Sequence, residues 1–77
     1  MKTFEFSIIA FGPDPSQGDA LDRFYEAGCD DATVGFQKGH LILDFAREAA
    51  CLDDAVASAM ADVRAAGARI ERVELRA

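Results

Sequence analysis

The run Ala32-Thr33-Val34-Gly35-Phe36-Gln37-Lys38-Gly39-His40-Leu41-Ile42-Leu43-Asp44-Phe45-Ala46 decides how this chain folds. Ala32, Val34 and Phe36 alternate with Thr33, Gly35 and Gln37, and Leu41, Leu43 and Phe45 repeat the pattern beyond the break. Period-two alternation with β-branched and aromatic residues is the signature of a strand. Lys38-Gly39 supplies a tight turn, with glycine where a positive φ is needed. Residues 32–46 therefore read as a β-hairpin, two antiparallel neighbours.

Upstream, Thr3 to Phe11 alternate as well: Phe4, Phe6, Ile8 and Ala10 point one way, and Glu5, Ser7, Ile9 and Phe11 the other. Gly12-Pro13-Asp14-Pro15-Ser16-Gln17-Gly18 then reads as a loop, because its prolines cannot continue a ladder. Ser16 or Asp19 is the expected cap of a helix that carries Ala20, Leu21, Phe24 and Tyr25 on one face and closes at Gly28. Downstream, Leu52, Ala55, Val56, Ala59, Met60, Val63 and Ala66 follow the i, i+3, i+4 repeat of an amphipathic helix. Asp53 and Asp54 in its first turn and Arg64 near its end complement the helix dipole, and Gly67 ends it. Residues 69–75 form a last strand in which Ile70 and Val73 have opposite parity, the mark of a bulge or a short strand.

Two strand–helix–strand units joined by a hairpin predict an α+β fold: a ferredoxin-like βαββαβ domain with a four-stranded antiparallel sheet in the order 4-1-3-2 and two helices on one face. A helix-swapped or otherwise rearranged α+β sandwich is the alternative. The expected core joins Phe4, Phe6, Ile8, Val34, Phe36, Leu41, Leu43 and Phe45 to Leu21, Phe24, Leu52, Val56, Met60 and Val63. The opposite sheet face has no helix to cover it. There Ile9, Phe11 and Ile42 gather at one end of two neighbouring strands, and exposed apolar patches with polar rims mark interaction sites. Ile9, Phe11 and Ile42 are therefore the candidate interface, with a second copy of the chain as the expected occupant.

The 77 residues suit one domain, 1–77. A net charge of −6, from 14 acidic and 8 basic residues, opposes binding to nucleic acid and to anionic membranes. No apolar run is long enough to span a bilayer. Glu5 interrupts the N-terminal apolar stretch as it would not in a signal peptide. The expected location is cytoplasmic.

The chemistry-bearing residues are few. Cys29 and Cys51 match no zinc spacing and read first as small reduced hydrophobes. The topology brings the end of the first helix near the start of the second, which makes Cys29 and Cys51 a candidate redox pair. His40, the one histidine, follows the hairpin turn without a nucleophile beside it in sequence. Asp30, Asp31, Glu48, Asp53 and Asp54 gather at the cysteine end without calcium-loop spacing. The Gly12–Gly18 loop lacks the Gly-Lys-Ser/Thr ending of a phosphate loop. No catalytic residue, cofactor or metal is expected, and the chain reads as a non-enzyme.

Four segments carry a resemblance: Met1-Lys2-Thr3-Phe4-Glu5-Phe6; Phe24-Tyr25-Glu26-Ala27-Gly28-Cys29-Asp30-Asp31-Ala32-Thr33; Asp44-Phe45-Ala46-Arg47-Glu48-Ala49-Ala50; and Arg72-Val73-Glu74. Together they resemble a family of small bacterial proteins described as DNA-binding or transcriptional regulators, in whose longer members a domain of this kind precedes a helix-turn-helix segment. The resemblance covers nearly the whole chain, and Glu26 to Thr33 is its most specific part. No helix-turn-helix follows in this sequence, so any DNA contact is expected of a segment outside it, and Cys51 stands where a capping serine is usual. The resemblance implies regulation rather than catalysis, and with the uncovered sheet face the chain reads as a regulatory or assembly module that homodimerises through it. The alternative is a module for a different protein, antitoxin-like or immunity-like.

Overall fold

The computed structural model describes residues 1–75. β1 (Lys2–Phe11), α1 (Ala20–Glu26), β2 (Ala32–Gln37), β3 (His40–Ala49), α2 (Leu52–Ala65) and β4 (Arg69–Leu75) follow in the order βαββαβ. One sheet holds the four strands in the order β2-β3-β1-β4, every neighbouring pair antiparallel. This is the expected 4-1-3-2 order, with β1 and β3 in the middle. The hairpin turn sits at Lys38 (φ 52) and Gly39 (φ 80), both in the left-handed region that a two-residue hairpin turn requires.

Alternation along the central strands sorts the core. Phe6, Ile8 and Ala10 of β1 and Leu41, Leu43 and Phe45 of β3 are buried on one face, against Phe24 of α1 and Ala55, Ala59 and Val63 of α2. Phe6 and Phe45 stack with ring centroids 5.4 Å apart. Each such side chain contributes about 2–3 kcal/mol on leaving water. The small alanines let α2 lie close to the sheet, and Leu52, Val56 and Met60 pack at its flank, half-buried.

Both helices end in the same device. The N–H of Gly28 bonds the carbonyl of Tyr25 and that of Cys29 the carbonyl of Phe24; Gly67 and Ala68 repeat this with Arg64 and Val63. These paired bonds close a helix on a glycine of positive φ, here +114 and +94. β4 is bulged, as its sequence parity requires. Ile9 faces Arg72, but Ala10 faces Ile70, so Glu71 is the extra residue and Ile70 and Val73 both turn toward the helices.

Three expectations are corrected. Phe36 is 39% exposed and Leu21 lies outside the buried cluster. The reason is the length of α1, only 7 residues, which buries just Ala20 and Phe24 and leaves the outer end of β2 uncovered on that side. Neither Ser16 nor Asp19 caps α1 through its side chain; Asp14 instead accepts the backbone N–H and the hydroxyl of Ser16 at 2.9 and 2.7 Å. The third strand runs three residues past the hairpin, to Ala49.

Candidate functional site

The sheet face turned away from the buried cluster carries the odd residues of β1 and the even residues of β3. Ile9 pairs with Ile42 across these strands and Ser7 with Asp44. Ile9 is only 6% exposed, because it lies between Ile42 on one side and Arg72 of β4 on the other. The expected patch is thus smaller than three open side chains. Phe11 keeps 36% of its surface, and Ile42 is half-buried. Ile9 and Ile42 floor a shallow concavity of about 440 Å3 whose walls are His40, Lys38, Glu71 and Arg72.

Local pairing fixes those walls. The His40 ring lies 4.7 Å from the Phe11 ring, and its Nδ1 donates to the Lys38 carbonyl at 3.2 Å. Its Nε2 stands 3.6 Å from Glu71, an ion pair whenever the imidazole is protonated. Arg69 sits over the other part of Phe11, 5.6 Å from the ring centroid. Arg72 donates to Glu71 and, at 2.9 Å, to Glu74. Lys38, Arg69 and an Arg72 paired with Glu71 therefore border the apolar end. The far end is acidic, with Glu5, Glu48, Glu74 and an Asp44 that accepts the Ser7 hydroxyl.

A second constellation, which the sequence pattern does not single out, centres on Arg47 on the helix side of the sheet. Arg47 is 8% exposed and projects from β3 toward the helices. Its Nε and one terminal nitrogen hold both oxygens of Asp31, at 2.8 and 2.9 Å. The other terminal nitrogen donates to Asp62 at 2.8 Å and to Ser58 at 3.2 Å, and the Gly28 carbonyl accepts the remaining bond at 2.7 Å. All five donors of the guanidinium are used, and the group also lies over the Phe45 ring, 4.9 Å from its centroid. The carboxylate hydrogen bonds raise its pKa further above the ordinary value. This cation joins the end of α1, the start of β2 and the middle of α2. The signal was present in the alternation: Leu41, Leu43, Phe45, Arg47 and Ala49 share one parity.

The cysteines sit in contrasting places. Cys51 is exposed at the N-cap of α2, where its side chain makes no cap bond; Cys29 is buried; both are free thiols. Burial, aided by the Asp62 carboxylate and opposed by Arg47, pushes the Cys29 thiol up to about 11 from its ordinary 9.0. A thiol held neutral in this way is a poor nucleophile at neutral pH. The folded state favours the protonated thiol, so stability is full below about pH 9 and falls as pH rises through about 11. The expected loss is about 3 kcal/mol, at about 1.4 kcal/mol per pH unit. Urea denaturation of the native chain and of Cys29→Ala across that range reads it as a slope that the variant lacks. A maleimide should accordingly label Cys51 alone in the folded chain and both thiols in denaturant.

Of the acidic group, Asp31 belongs to Arg47. Among the described residues no three His, Cys, Asp or Glu side chains are placed to hold a metal ion, and no helix is long and apolar enough to cross a membrane. No family model, no curated protein and no solved structure matches this chain.

Proposed function

We propose that this chain is a non-enzymatic regulatory or assembly module of ferredoxin-like type that homodimerises through its helix-free sheet face, the role that such a domain would play ahead of a helix-turn-helix segment. The observation that supports this reading is the exposed Phe11 at the end of a sheet face whose Ile9 and Ile42 floor a concavity, with no helix over that face among the described residues. Apolar surface at such a place is stabilised by being covered. The acidic far end sets the orientation. Two copies overlap at their apolar ends, around a two-fold axis lying across the strands, and their carboxylates point away from each other.

Ile42→Glu places a charge on the floor of that contact. Sedimentation equilibrium should show the mass of the native assembly halved in the variant, with an unchanged far-ultraviolet spectrum. An assembly of the same mass as the native one overturns the reading. A heterologous occupant is the second reading. Lys38 and Arg69 beside the patch, on a chain of net charge −6, favour it, since two such cations suit an acidic apolar segment.

A further inference from the structure

A different surface lies at the sheet edge. β4 is an outer strand, with β1 on one side and, among the described residues, no strand on the other. Such an edge offers a row of unpaired backbone groups. Its helix side is also apolar: Leu52, Val56 and Met60 of α2, with Val73 and Leu75 of β4, line a groove of about 460 Å3, and Leu75 is 60% exposed. The bulge at Glu71 twists the first part of β4 away from a straight edge and leaves Arg72 to Glu74 as the segment that can pair in regular alternation.

The geometry points to β4 pairing antiparallel with β4 of a second copy, in a register centred on Val73. In an isologous antiparallel pair, residues on opposite sides of the axis meet each other and must share a sheet face. Arg72 and Glu74 point to the helix-free face, since they pair with Ile9 and Ser7; Val73 and Leu75 point to the helices, since they pair with Ile8 and Phe6. Centring on Val73 sets Arg72 against Glu74 of the other copy, twice by symmetry, and Val73 against itself. Centring on Arg72 or on Glu74 would set like charges against each other. Leu75 of each copy then comes opposite Glu71 of the other, the bulge residue at which the regular ladder ends, and lies on the helix side toward the Met60 end of the other's groove. The axis is perpendicular to the sheet, so two four-stranded sheets become one of eight with a continuous helix-free face. This axis is also perpendicular to the face-to-face axis above, and the two contacts together close an assembly of four chains where the two axes intersect.

The test uses Ile42→Glu, in which the edge contact is the only one left. That protein should sediment as a concentration-dependent dimer. Adding Arg72→Glu or Glu74→Arg alone should raise its dissociation constant about tenfold or more, because each reversal creates two like-charge pairs. Adding both exchanges the charges and should restore the dimer. An Ile42→Glu protein that is monomeric throughout, or a double exchange no tighter than the single reversals, overturns the edge pairing and leaves the face-to-face reading standing. If Ile42→Glu leaves the mass unchanged while the charge reversals lower it, the face-to-face reading fails and the edge pairing holds.

Discussion

Arg47→Ala should lower the free energy of unfolding by about 3 kcal/mol, the lower part of the 3–5 kcal/mol seen when one partner of a buried ion pair is removed. The loss has three parts. The Asp31 and Asp62 carboxylates lose the cation they share, the Gly28 carbonyl loses its donor, and the face of Phe45 loses its cover. The carboxylates keep 32% and 31% of their surface, so water relieves some of their charge and the upper part of the range is not reached. Arg47→Lys keeps the charge but not the fork: one ammonium cannot hold both Asp31 oxygens while reaching Asp62 and Gly28. It should fall between the native chain and Arg47→Ala. Urea denaturation followed by circular dichroism measures all three. A loss under about 1 kcal/mol for Arg47→Ala would mean that water replaces the guanidinium at little cost, as at surface pairs.

Gly28→Ala should cost about as much, although it adds a single methyl group. Gly28 has φ +114, a conformation that costs a residue with a side chain about 1–3 kcal/mol. A β-carbon there would also stand 2.7 Å from Oδ2 of Asp62, the oxygen that accepts from Arg47. The carboxylate must move, and the bond to Arg47 lengthens or breaks. The two contributions separate in a double-mutant cycle. In an Asp62→Ala background the collision is gone, so Gly28→Ala should cost only the backbone part. Equal costs in both backgrounds would show that the helix end alone demands glycine.

Much of this architecture is legible in the residues. The hairpin, the long apolar stripe of α2, the two terminal glycines and the bulge in β4 each follow from local chemistry that the tertiary structure leaves unchanged. Phe36 and Leu21 depart from the expected core for one reason: periodicity shows which face a residue joins but not how far the covering helix extends. Ile9 was expected to be open because strand parity ignores neighbours on the next strand, where Arg72 lies across it. Arg47 does not stand out in the sequence, because a charged residue in a strand is ordinarily a solvated one. Its inward parity carried the information, and its partners, at 31 and 62, are too far away in sequence to suggest themselves.

The central place of β1 has a consequence for the chain while it is being made. One edge of β1 is filled by β3, but the other waits for β4, the last of the described strands to leave the ribosome. Until then Phe4-Glu5-Phe6-Ser7-Ile8-Ile9-Ala10-Phe11, a β-prone segment with one charge, has an unoccupied side. The stretch through α2 that separates β3 from β4 therefore sets how long a nascent chain can pair with its neighbour on the same message instead of with itself.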